Sequence, residues 1–168
     1  MNWYKQASFD DDLTHALVDQ MGEEKGKELA FNIHNEIESI GTEYRFENIS
    51  ALGLAKNNVC IISSDIFRYK VPNMIFVLFH ELAHYYQYKK YGNEFAMSVY
   101  TNPPSEIDED VDFLREIETT ADRFARLKTS HYINKYEMKD SITLPGYSHF
   151  SDSFLEYHLL RIKDQIKK

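Results

Sequence analysis

The sequence predicts one α+β domain, with helices first, strands in the middle and two chemistry-bearing helices after them. Three observations predict it. Apolar residues recur at three- and four-residue spacing in segments 23–40, 72–91 and 113–128. Segments 43–49 and 59–63 read as strands between them. The length of 168 residues, with 43% hydrophobic and 14% aromatic residues, suits a single globular core.

Residues 10–20 can form a short helix capped by aspartates. Residues 23–40 form a stronger one, with Leu29, Ile33, Ile37 and Ile40 in a stripe and Gly41 as its stop. Segment 43–49 alternates aromatic and polar residues through Tyr44 and Phe46. Segment 52–58, with Gly53 and Asn57-Asn58, reads as a turn. The run Val59 to Ser63 is β-branched and apolar. Pro72 and Gly92 bracket the next helix, and Lys89 and Lys90 fall in its last turn. Residues 100–112 are acidic and contain Pro103-Pro104, so they read as a connector. Residues 113–128 form a helix with Leu114, Ile117, Ala121, Phe124 and Leu127 on one face. Segment 141–151 turns at Pro145-Gly146, and Ser153-x-x-Glu156 is a capping box for a C-terminal helix.

The third of these helices carries His80-Glu81-Leu82-Ala83-His84, an HExxH pentapeptide. Histidines four apart share a helix face, so both imidazoles can reach one Zn2+ ion, with Glu81 beside them as general base. Chance predicts on the order of 0.03 such matches in a chain of this length and composition. A catalytic zinc needs a third protein ligand. The metzincin extension HExxHxxGxxH is absent, because Gln87 and Lys90 stand at its glycine and last histidine positions. A glutamate from the next helix is the other route. Glu118 and Asp122 lie four apart on one face, so Glu118 can be a ligand and Asp122 can hold the free ring N–H of a liganding histidine. Asp108, Glu109, Asp110, Asp112 and Glu116 compete for the ligand role.

HELAH followed by Glu118-Thr119-Thr120-Ala121-Asp122-Arg123-Phe124-Ala125 resembles the gluzincins, and the second string is similar to the ImmA/IrrE metallopeptidases. The resemblance spans roughly residues 45–128 in element order and is tight at 80–84 and 118–125. Thr120 departs from the family, whose members often carry an acid there. The resemblance implies a compact zincin-like, minimal gluzincin domain with a small, mostly antiparallel sheet. It implies Glu118 as third zinc ligand and segment 59–65 as the edge along which a peptide pairs. It also implies a protein substrate, typically a transcriptional repressor. Gluzincins need a Tyr or His from the C-terminal part to stabilise the oxyanion. Tyr147 and His149 are the candidates here, with His131 and Tyr132 competing.

Composition narrows the remaining choices. Cys60 is the single cysteine, which excludes an internal disulfide and suggests a reducing compartment. Segment 1–12 is polar and acidic and reads as no secretory signal, and no run is apolar enough to span a membrane. A cytoplasmic location is the resulting expectation. The net charge of −8 argues against nucleic-acid binding, and so against a DNA-associated SprT-like protease. Two further alternatives are a regulatory module that keeps zinc without catalysis, and a peptide deformylase, whose metal-binding cysteine motif Cys60 does not supply. Oligomeric state is left open by the sequence.

Overall fold

The computed structural model describes residues 11–49, 53–56, 59–91 and 107–146, together with Ser153 and Tyr157. Asp11 caps the first helix, α1 (Asp12–Met21), by accepting from the Thr14 N–H at 2.7 Å. Gly22, at φ 85°, ends α1 and starts α2 (Glu23–Ser39). The two helices form a hairpin that crosses at Gly26. A Cβ there would lie 2.6 Å from Val18 N and 2.8 Å from the Leu17 carbonyl carbon, so the backbones touch. Leu13, Leu17, Leu29, Ile33 and Ile37 are buried along the apolar stripes.

Three strands follow: β1 (Glu43–Glu47), β2 (Gly53–Lys56) and β3 (Val59–Ser63). Their spatial order is β1-β3-β2. β1 runs parallel to β3, pairing Glu43 with Val59, and β2 runs antiparallel to it, pairing Gly53 with Ile62. The small sheet is therefore mixed. Segment 53–56, expected as turn, is a strand. A four-residue strand starting on glycine carries almost no periodic signal, and only its cross-strand partners define it. The order also corrects the expected peptide-binding edge. β3 has a neighbour on each side, so segment 59–65 cannot accept a further strand through 59–63.

A 3-10 turn, Ser64–Arg68, leads into α3 (Val71–Tyr91). Every residue from Val71 to Tyr85 is buried. A helix apolar on all sides belongs in the middle of a fold, and α3 packs on β2, β3 and the next described helix, α4 (Ile107–Lys135). Two side-chain amides hold its start. Gln20 accepts from the Val71 N–H at 3.2 Å and donates to the Tyr69 carbonyl at 2.8 Å. Asn73 accepts from the Thr143 N–H at 2.8 Å and donates to Thr143 Oγ1 at 2.7 Å. α4 is longer than expected at both ends, taking in 107–112 and 129–135. The acids read as a solvated connector stand at a helix N-terminus, where negative residues are favoured. Lys128–Glu36 at 2.6 Å and Lys135–Glu28 at 2.5 Å tie α4 to α2.

Helical hairpin, small sheet, motif helix and glutamate helix together match the minimal gluzincin architecture. Of the expected C-terminal helix, Ser153 and Tyr157 are helical, and its remainder lies outside the described residues.

Candidate metal centre

α3 and α4 face each other across the two motifs. On α3, His80 and His84 lie one turn apart, with ring centroids 4.9 Å apart, and both point at α4. On α4, Glu118 and Asp122 also lie one turn apart and point back. All four are buried, as is Glu81. His80 Nε2 lies 2.8 Å from Glu118 Oε2, and His84 Nε2 lies 3.4 Å from the same oxygen. One carboxylate oxygen thus meets both imidazoles. The opposite nitrogens are held as well. His80 Nδ1–H donates to Asp122 Oδ1 at 2.8 Å, and His84 Nδ1 lies 2.9 Å from Gln87 Oε1. Gln87 Nε2 donates in turn to the Ile117 carbonyl at 2.9 Å.

One residue along α3 from His80 is a rotation of about 100°. It carries Glu81 round to the sheet, against the first residue of β2. A Cβ on Gly53 would lie 2.5 Å from Glu81 Oε1 and 2.6 Å from Cδ, and inside contact range of Cγ. The carboxylate therefore occupies space that any other residue at 53 would need. One potential donor atom from each of His80, Glu81 and His84 lies within 4.8 Å of the others, a grouping that could hold a metal ion. This His-Glu-His triad is consistent with a zincin-type protease site.

The electrostatics follow from burial and pairing. Burial favours a neutral His80, but hydrogen bonds to Asp122 and Glu118 outweigh it and push the ring up to about 10. His84 is raised too, because Glu118 overcomes the same burial penalty. Burial would raise Glu118, yet His84 and His80 hold it well below the usual carboxylate range. Glu81 goes the other way: burial raises it, and the histidines only partly offset that. Two carboxylates in one buried cluster are thereby split, one kept ionised and one inclined to hold a proton. Burial also pushes the Cys60 thiol up, with Glu81 adding to it, so Cys60 is an inert core residue.

A donor set of two imidazoles and one carboxylate, with each outer imidazole nitrogen held, suits zinc in its hydrolytic form. Among the competitors for the carboxylate, Asp112 and Glu116 are exposed. Thr120, where the resembling family often has an acid, is exposed as well. Tyr132, a competing candidate, is taken up in an aromatic stack. It lies within α4 and stacks between Phe79 at 5.8 Å and Tyr136 at 6.2 Å, only 7% exposed. His131, beside it in α4, faces solvent. Tyr147 and His149 lie outside the described residues. His34 is bound 2.9 Å from Asp11 Oδ2, and the Tyr44 hydroxyl donates to that same oxygen at 2.8 Å. These three line an open cleft of about 530 Å³ along β1, the sheet edge opposite β2. The cleft shares no residue with the metal cluster, and its acid, imidazole and phenol are engaged with one another.

Sequence reasoning missed Gly53 and Gln87. Gly53 was visible as a glycine and no more. Gln87 stood out only as one of the two residues, with Lys90, that rule out a metzincin. Comparison with protein families, with curated proteins and with solved structures gives no match to this chain.

Proposed function

We propose that the protein is a zinc-dependent endopeptidase that hydrolyses a protein substrate, with residues 1–168 acting as one metallopeptidase domain. One observation carries this reading: the Nε2 atoms of two helix-borne histidines converge on a single buried carboxylate oxygen, with Glu81 alongside. In this reading His80, His84 and Glu118 hold the ion. Zinc, when bound, supplies Lewis acidity toward a carbonyl and toward water. The chain's own groups do the rest. Asp122 keeps the Nδ1 proton of His80 in place, so that Nε2 presents its lone pair. Glu81 takes a proton from the attacking water and returns it to the leaving amine, a task suited to a carboxylate whose proton affinity burial has raised. An extended peptide pairs with β2, which has β3 on one side only among the described strands. That places the scissile bond beside Glu81. Tyr147 and His149 are the proposed oxyanion donors.

The Glu118-to-Ala125 string supports placing the protein near the ImmA/IrrE metallopeptidases, and on that analogy the substrate is a transcriptional repressor. No described helix is long and apolar enough to cross a membrane, and with a single cysteine the cytoplasm is the proposed location.

Metal content and proteolysis of three proteins test the reading. Wild type should bind about one zinc per chain and cleave; Glu81→Gln should keep the zinc and lose about 10²–10⁴-fold in rate. Glu118→Ala should lose zinc. A Glu81→Gln protein as fast as wild type removes the base from Glu81. Wild type that binds zinc yet cleaves nothing favours the regulatory-module alternative.

A further inference from the structure

Gln87 sits at the third position after His84, on the same face of α3, between the second histidine and α4. Its two amide atoms have different duties. The atom facing α4 meets the Ile117 carbonyl at 2.9 Å. That carbonyl can only accept, so the amide must turn its NH2 group there. The oxygen is then left facing His84 Nδ1, at 2.9 Å. A carbonyl oxygen can only accept in its turn, so Nδ1 must carry a proton, which leaves Nε2 as the nitrogen that presents a lone pair when the ring is neutral. Nε2 is the atom aimed at Glu118. The reverse orientation would set two acceptors against each other at Ile117. It would also force the proton onto Nε2, where the ion belongs.

From this chain of hydrogen bonds we infer that Gln87 is the positioning residue of His84. It transmits the polarity of a backbone carbonyl on α4 into the tautomer of a metal ligand on α3. The inference rests on the zinc-site reading above and deepens it. The two histidines are held by unlike means: His80 by a carboxylate reaching across from α4, His84 by an amide on its own helix that is itself anchored to α4. Ile117 immediately precedes Glu118. The second imidazole and the third proposed ligand are therefore registered to each other through one line of hydrogen bonds, and an error in the distance between α3 and α4 moves both together.

The test uses the full chain as wild type, Gln87→Met and Gln87→Glu, with far-UV circular dichroism to establish that each is folded. Zinc affinity is measured by competition with a chromophoric chelator. Gln87→Met removes both hydrogen bonds at nearly constant volume and should weaken zinc binding about 10–100-fold. Gln87→Glu keeps an acceptor for Nδ1–H and should return most of that loss. Gln87→Met binding as tightly as wild type, or both variants losing equally, overturns the inference. A second readout needs no zinc. Nitrogen-15 correlations of the His84 ring in metal-free protein, at a pH where the ring is neutral, report which nitrogen carries the proton. Wild type should show the proton on Nδ1 and Gln87→Met should not keep that preference. A proton on Nε2 in wild type, or an unchanged preference in Gln87→Met, overturns the inference. Nδ1 protonation lost in Gln87→Met, in a protein whose wild type binds no zinc, supports the role of Gln87 and removes the zinc reading instead.

Discussion

Gly53→Ala tests the placement of Glu81 without touching any proposed ligand. The added Cβ would sit 2.6 Å from Glu81 Cδ, whereas carbon atoms in ordinary contact are about 3.5–4.0 Å apart. The carboxylate must therefore retreat by about 1 Å, since the other party to the contact is strand backbone. Misplacement on that scale costs about 10²-fold in rate, or about 2.7 kcal/mol of barrier. The same crowding should cost about 1–3 kcal/mol of stability. A double-mutant cycle isolates the cause. In a Glu81→Ala background the Cγ, Cδ and Oε1 atoms that meet the new methyl are gone, so Gly53→Ala should cost almost nothing there. A coupling energy of about 1 kcal/mol or more is expected. Urea denaturation of the four proteins gives the stabilities, and cleavage of a casein-type unfolded substrate gives the rates for the two proteins that keep Glu81. Zinc affinity should stay within about threefold of wild type, because the three atoms nearest the new methyl all belong to Glu81. An equal cost of Gly53→Ala in both backgrounds refutes the steric argument. A rate unchanged by Gly53→Ala refutes the claim that the carboxylate's position matters.

Two further predictions concern pH. Burial opposes charge on His80 and His84, but Asp122 and Glu118 push His80 up to about 10, and Glu118 raises His84 as well. Zinc must displace a proton from a liganding nitrogen, so binding at pH 7 should release protons, at least the one on His80, and tighten with rising pH, levelling as pH passes the His80 value. Calorimetry in buffers of different ionisation enthalpy counts them, and binding with no proton release would show that the rings are already neutral. Asp11 provides the second case. Burial raises its pKa, but the hydrogen bonds from His34 and Thr14 outweigh this and leave it below 3.8. A depressed folded-state pKa gives stability that is complete above the unfolded value and lost as pH falls through the folded one. Asp11→Ala should cost about 1–2 kcal/mol at pH 7, about 1 of it from the helix cap. The gap to wild type should narrow below pH 3.8 in reversible denaturation, and a gap constant down to pH 2 would refute the charge contribution.

How much of this was legible depended on distance along the chain. The motif helix could be read from 72–91 because its signals are local: a proline at the start, an unbroken apolar run and histidines one turn apart. Glu118 and Asp122 were legible for the same reason, as a single turn of helix with a resembling string around it. Strand order was not. β3 has the composition of a buried strand, and nothing in VCIIS says whether its neighbours lie on one side or two. β2 was lost because glycine is punctuation in a sequence, whereas in the fold its missing side chain makes room for Glu81. Gln87 was lost because its partner on α4 is a backbone carbonyl, which every residue has. The acids at 108–112 were legible as charge and misread as loop, since the same composition suits a solvated connector and a helix N-terminus.

The ties on α3 and α4 differ in kind. α4 is fastened to α2 by the ion pairs Lys128–Glu36 and Lys135–Glu28. α3 is fastened by carboxamides: Gln20 and Asn73 at its start and Gln87 beyond the motif. An amide neither gains nor loses a proton in the range where proteins stay folded, and added salt does not screen it as it screens separated charges. The amide ties that seat α3 are thus insulated from ionic strength and acidity. Those variables act instead on the α2–α4 contact and on the cluster itself.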